Sequence, residues 1–279
     1  MFLITGGRGA VATHLTRLLH DAGLPIRLGS AQPDQLTPPP GVETVRLDLA
    51  DPATFPAALN GVRQLFLYAS PDRIADFTDA AQWAGVEHVV LLSSSSVLAP
   101  GAATDPIAKP HLDVEQALLA SPIATTILRP GSFASNAGAW AWSIKSDRPV
   151  SLPYPDAHND PIHERDVAEA AHAVLTDPRH RGGRFTLTGP QSLTFAQQID
   201  QLANTLGHPI TAHHVTREAW KGEMAEYLPG PFADALLNWW QAHDNSPVTL
   251  TTAVEDLTGH PARPFTTWAT DHITDFTTA

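Results

Sequence analysis

The feature that most constrains this chain is its first dozen residues. Phe2-Leu3-Ile4-Thr5 is a short apolar, partly β-branched run; Gly6, Gly7 and Gly9 follow at once, and Val11, Leu15, Leu18 and Ala22 recur on one helical face. Strand, glycine turn and amphipathic helix in that order open a nucleotide-binding βαβ unit. In the spacing Gly6-x-x-Gly9-x-x-Ala12, Gly6 allows a tight turn out of the strand and Gly9 lets the backbone approach a pyrophosphate. Ala12 is small enough for the helix to pack closely on the sheet, and the free N–H groups of the helix start face the phosphates.

The pattern then repeats. Strands are expected at Ile26–Gly29, Thr44–Leu47, Gln64–Ala69, Glu87–Leu92 and Ala124–Leu128, separated by a proline-rich loop over Gln32–Gly41 and by helices. Those helices begin at Asp51-Pro52, run from Pro71 to about Trp83, and open at Pro110. Such alternation predicts an α/β fold with a Rossmann-type, doubly wound parallel sheet. Beyond Pro130 the rhythm breaks: Gly131–Pro161 has no clear period, Asp166–Leu175 is a helix with Asp166 as its N-cap, and Arg184–Leu187 is a strand. From Phe195 onward the segments are mostly helical. The expected organisation is a dinucleotide-binding core, 1–130 completed by 162–190, and a smaller, mostly helical C-terminal substrate lobe, 131–161 and 191–279.

A formal charge of −12 repels DNA and anionic membranes, which leaves a small molecule as the expected partner rather than nucleic acid or membrane. The absence of cysteine excludes disulfides and thiolate chemistry. No apolar run approaches the roughly 18 residues that span a bilayer. A strand at residue 2 leaves no room for a signal peptide, so a cytoplasmic protein is expected. His163, His172, His213 and His214 lack carboxylates at ligand spacing, and no metal is expected.

Ser30 lies eighteen residues after Ala12, near the place where an NAD-binding fold puts an acid for the ribose hydroxyls. With no acid there, a 2′-phosphate is not repelled. Arg8, inside the glycine turn, has the reach to take a phosphate bidentately, a solvated turn residue being its other reading. NADP is therefore the favoured cofactor, with NAD second.

The chain resembles the NmrA-like, atypical branch of the short-chain dehydrogenase/reductases over nearly its whole length. The resemblance rests on Ile4-Thr5-Gly6-x-x-Gly9, Leu47-Asp48-Leu49, Leu91-Leu92-Ser93-Ser94 and Val114-Glu115-Gln116-Ala117-Leu118. It continues through Leu128-Arg129-Pro130-Gly131-Ser132-Phe133 with Asn136, Arg165-Asp166-Val167-Ala168, Leu187-Thr188-Gly189-Pro190 and Val254-x-x-Leu257-Thr258-Gly259. It implies that Gly6, Arg8, Gly9, Ala10 and Val11 line the pyrophosphate, and that Asp48 and Leu49 line the adenine. Ala69 and Ser70 would lie along the ribose, with Ser93, Ser94, Pro130, Gly131, Ser132 and Phe133 near the nicotinamide. The chain departs from many relatives at Ala12, where they have glycine, and at Ala31, where they carry a phosphate-binding arginine.

A further departure concerns chemistry. Members of the superfamily carry Tyr-x-x-x-Lys on the helix after the fifth strand, one helix face presenting both, with lysine lowering the tyrosine pKa. Here the corresponding positions are Ile107 and His111, or Asp105 and Lys109; neither register holds a tyrosine. Ser95 best matches the superfamily's helper hydroxyl, its alternative being a serine-rich strand end that satisfies backbone groups. His111, in the first turn of its helix, would be neutral there, either hydrogen-bonding an acceptor or contacting ribose. Phe133, Trp140, Trp142, Tyr154, Trp220 and Trp239 fall in segments with which the family roofs its substrate; they predict a flat, apolar acceptor or simply the core of a small lobe. Two functions follow from the resemblance: a reductase of an aromatic or quinone-like carbonyl that dispenses with the tyrosine, as in the tailoring of aromatic polyketides, or a redox sensor that binds the dinucleotide without turnover.

Overall fold

The computed structural model describes residues 1–278. Seven parallel strands form one sheet: β1 (Phe2–Ile4), β2 (Ile26–Ser30), β3 (Glu43–Arg46), β4 (Gln64–Tyr68), β5 (His88–Leu92), β6 (Ala124–Pro130) and, beyond two short strands, β9 (Arg184–Leu187). Their order is β3-β2-β1-β4-β5-β6-β9. The chain turns away from β1 in both directions, so the crevice outside the carboxyl ends of β1 and β4 is where such a sheet binds ligands.

Side chains alternate across each strand, and both faces are covered. Ile4, Phe66, Val90 and Leu128 point towards α1 (Ala10–Asp21) and α6 (Glu164–Thr176). Leu3, Leu65, Leu67, Val89, Leu91 and Ile127 point towards α2 (Phe55–Leu59), α3 (Ile74–Trp83) and α4 (Ala108–Leu119). Burying each such side chain contributes about 1.5–3 kcal/mol, which is why these strands read as unbroken apolar runs.

The lobe comprises α5 (Ala141–Lys145), β7 (Val150–Leu152), β8 (His158–Asn159), β10 (Leu193–Thr194), α7 (Phe195–Leu206), β11 (Ala212–His214), α8 (Arg217–Met224), α9 (Gly230–Ala242) and α11 (Phe265–Asp271). Trp140, Phe195, Trp240 and Trp220 run through it edge to face, with successive centroids 6.1, 5.2 and 5.0 Å apart. The intervening α10 (Ala253–Thr258) packs on the sheet side instead: Val254 and Leu257 join the cluster of α1 and α6. Among the described residues no helix is long and apolar enough to cross a membrane.

Two helix starts differ from expectation. α4 begins before Pro110, because Asp105 Oδ1 accepts the N–H groups of Ile107 and Ala108, each at 2.8 Å. Pro110 then sits in the first turn, where no N–H is needed. Asp166 is not the cap of α6. His163 Nδ1 caps it, accepting the Arg165 N–H at 3.2 Å, while Asp166 is wholly buried and accepts the Arg263 main-chain N–H at 2.7 Å.

Candidate dinucleotide and acceptor site

The turn after β1 is built as an anion cradle. Gly6 adopts a left-handed φ of +63°, and Gly9 caps α1 without a side chain or an acid in the first turn. Gly9 N–H donates to Gly6 O at 2.8 Å and Thr13 N–H to Gly9 O at 2.9 Å. Among the described residues the N–H groups of Arg8, Ala10 and Val11 have no protein acceptor, which suits a pyrophosphate at the positive end of the helix.

The glycines serve a second purpose that the spacing alone did not suggest. A Cβ on Gly6 would stand 2.7 Å from Tyr68 Cδ2, and one on Gly9 would stand 2.5 Å from Tyr68 Oη. Tyr68, the last residue of β4, lies flat against the turn, and its hydroxyl accepts the Ala12 N–H at 3.2 Å. Burial pushes the phenol up to about 12 against the pull of the Ala12 N–H, so it stays protonated.

Towards β2, Arg8 Nη1 donates to Gln32 Oε1 at 3.0 Å and to Gln35 Oε1 at 2.8 Å. This aims the guanidinium at the segment following β2, where Ser30 Oγ accepts the Gln32 N–H at 3.1 Å. Asp48 Oδ1 accepts the Ala50 N–H at 3.0 Å, and Leu49 packs at the edge of the α2–α3–α4 cluster. Ala69 and Ser70 continue half-buried from Tyr68.

At the other end, one expectation is corrected. Ser93 is buried and its hydroxyl donates to Glu115 Oε1 at 2.5 Å, so its one proton is committed to α4 rather than to a cofactor. Arg129 closes the same knot, with Nε 2.9 Å from Glu115 Oε1 and Nη2 2.5 Å from Oε2. Ser94 Oγ accepts the Ser96 N–H at 3.2 Å, which leaves Ser95 half-buried at the head of a short 3₁₀ turn. His111 stands one helical turn before Glu115, and its Nδ1 is buried without a partner among the described residues. Burial holds its imidazole below the usual range against the opposing field of Glu115, keeping it neutral.

The stretch after β6 brings in a residue that the sequence did not single out. Gly131 N–H donates to Leu187 O at 2.9 Å, Ser132 N–H to Asp160 Oδ1 at 2.9 Å, and Phe133 bridges Ile162. A Cβ on Gly131 would stand 2.0 Å from Asp160 Oδ2, so the carboxyl occupies the place of the missing side chain. Burial pushes Asp160 up to about 6, against the pull of the Ser132 N–H. Nothing in His158-Asn159-Asp160-Pro161 marks it; the one available signal was a glycine at the end of a buried strand.

The expected aromatic roof is dispersed. Trp220 is buried in the lobe core against Trp240, which removes it from the acceptor wall. Tyr154 packs beside that core and its hydroxyl accepts Arg217 Nη1 at 3.1 Å. Trp140 stacks edge to face on Phe195, while Trp142 is exposed with Arg148 5.0 Å over its ring. Phe133 is half-buried against the α1–α6 cluster. Asp166, Glu169 and His260 converge, but the Arg263 guanidinium pairs with both carboxylates and occupies the space between them.

Fold and turn together define a dinucleotide-binding α/β protein. Residues 6–178 match the model of a family described as NAD(P)H-binding. The chain is 35% identical to a (4-alkanoyl-5-oxo-2,5-dihydrofuran-3-yl)methyl phosphate reductase of Streptomyces griseus, covering 99% of each chain. It is 31% identical to an NAD(P)H azoreductase of Xenophilus azovorans, again over 99% of each. An NADPH-dependent quinone oxidoreductase of Escherichia coli, solved with NADPH, superposes with a TM-score of 0.80 at 23% identity, over 98% of this chain and all of that one. This chain belongs to the NAD(P)H-binding, NmrA-like family. It is an NAD(P)H-dependent oxidoreductase acting on a small molecule.

Proposed function

We propose that the protein reduces a conjugated carbonyl on an aromatic, polycyclic or quinone-like acceptor of secondary metabolism, antibiotic biosynthesis included, with NADPH preferred over NADH. It would do so without the tyrosine–lysine pair of its superfamily. The observation that carries this reading is α4 itself: the helix holds no tyrosine, and its buried carboxylate, Glu115, is committed to Ser93 and Arg129. An acceptor whose reduced form is delocalised or internally hydrogen-bonded suits such a helix, because less of the proton transfer falls to the protein. The oxo-dihydrofuran and azo groups in the names of the two relatives are both conjugated π systems that can take a hydride.

In this reading Gly6, Gly9, Ala10 and Val11 hold the pyrophosphate, while Arg8, Ser30, Gln32 and Gln35 surround the 2′ position of the adenosine ribose. Ser95 and His111 face the nicotinamide end as hydrogen-bonding groups. The test is to mix the protein with NADPH and a panel of naphthoquinones and aryl ketones and to follow the loss of NADPH absorbance. Turnover on at least one acceptor is expected. Tight NADPH binding without turnover on any would instead favour a dinucleotide sensor.

A further inference from the structure

We propose that Asp160 is the proton donor of the reduction, its carboxyl laid over Gly131 and facing the acceptor oxygen; this rests on the reductase reading above.

The placement follows from strand alternation. Arg129 reaches Glu115 on α4, so the α4 face of β6 is fixed by that contact, and Gly131, two residues on, presents to the same face. Ser93 at the end of β5 turns there too. Asp160 Oδ2 stands where the Gly131 side chain would be, at the carboxyl end of β6 and on the side where the superfamily keeps its acid–base helix. Its main-chain oxygen accepts the Gly189 N–H at 3.1 Å beyond β9, tying it to the sheet. Its segment is tied to the lobe two and four residues earlier: His158 N–H donates to His243 O and Asn245 N–H to Asp156 O, both at 3.0 Å. Asp160 thus lies between sheet and lobe, the place where acceptors bind in folds of this kind.

Its chemistry is free for use. Among the described residues no lysine or arginine lies within ion-pair distance of it. Only the field of His243 opposes its burial from a side chain, and His243 Nδ1 is engaged by the Trp239 carbonyl at 2.9 Å. Oδ1 takes the Ser132 N–H, which leaves Oδ2 to carry a proton. A carboxyl that holds its proton up to about 6 is matched to work near neutrality.

When bound, a reduced nicotinamide would supply the hydride to the carbonyl carbon, its own C–H bond breaking as the new one forms and its ring becoming the oxidised cation. As the acceptor's C=O π pair moves onto its oxygen, the O–H bond at Asp160 Oδ2 breaks and a new O–H bond forms on that oxygen. The carboxylate left behind recovers its proton from water, so charge and atoms balance.

Asp160→Asn keeps an oxygen for the Ser132 N–H and removes the proton. With the best acceptor of the panel, kcat is expected to fall about 100-fold or more. NADPH affinity should be unchanged, and the decline of wild-type kcat as pH rises past about 6 should vanish. A readout independent of turnover is the ¹³C signal of aspartate carboxyls, in which the resonance missing from the variant should titrate near 6 in the free wild-type protein. A variant with wild-type kcat and pH profile, or a resonance titrating at the ordinary 3.8, overturns the donor role while leaving the reductase reading intact. A wild-type protein that reduces nothing on the panel overturns both.

Discussion

Tyr68 Oη takes the N–H of Ala12 at 3.2 Å, while its ring fills the space that side chains on Gly6 and Gly9 would need. The phenol and the turn are therefore one packed unit. Gly9→Ala should destabilise the protein and raise KM for NADPH, since Gly9 has an ordinary φ of −71° and the added methyl would strike chiefly the Tyr68 hydroxyl, with the Gly6 carbonyl at 3.3 Å beyond it. Tyr68→Phe leaves the Ala12 N–H without its acceptor, a loss of about 1–3 kcal/mol. Combining the two should cost less than their sum, because the hydroxyl that the added methyl strikes is gone. Chemical denaturation of the four proteins of this cycle gives the coupling directly.

In the proposed binding mode Arg8 would set the cofactor preference. Two glutamine oxygens hold Nη1 in place, an arrangement that a 2′-phosphate can take over with a charge-assisted bond. Arg8→Ala should raise KM for NADPH about 10- to 100-fold, the worth of roughly 1.5–3 kcal/mol, and leave KM for NADH nearly unchanged. Equal losses with both cofactors would remove the assignment to the 2′ position.

Glu115 joins β5, β6 and α4 through Ser93 and Arg129, with side-chain exposures of 3% for Glu115 and 14% for Arg129. Glu115→Ala strands a desolvated guanidinium, and about 3–5 kcal/mol of stability should be lost. Urea unfolding measures it. Arg129→Ala alone should be nearly as damaging, and the double variant should recover part of the loss.

His88 gives the stability a pH dependence. Burial, with help from Arg181, holds its imidazole down at about 4, between Gln64 Oε1 and Thr126 Oγ1. The native protein keeps His88 neutral where the unfolded chain, near 6.5, already binds a proton. Its contribution is complete above pH 6.5 and is lost as pH falls towards 4, on the order of 3 kcal/mol in all. In His88→Gln that part of the slope should disappear when unfolding free energies are compared between pH 4 and 7.

What could be read from the chain alone is what neighbouring residues decide. The strands announced themselves because both faces of the sheet are covered, and Gly6 and Gly9 located the turn although Tyr68 supplies half of the reason for them. Contacts between distant segments stayed hidden. Asp166 resembled a helix cap because its partner, Arg263, lies 97 residues further on. Trp220 looked the same whether it faced an acceptor or Trp240. Asp160 acquires its meaning only from Gly131, at the far side of the irregular stretch that local periodicity does not resolve.

The return of α10 to the sheet has a mechanical consequence. The backbone passes between sheet and lobe after β6, before α6, after β9, on entering α10 and again on leaving for α11. A jaw mounted on so many straps does not swing about one pivot, because every strap would have to flex together. On the proposed reading, bulk at the rim of the acceptor site should then discriminate among guests more than closure around them does.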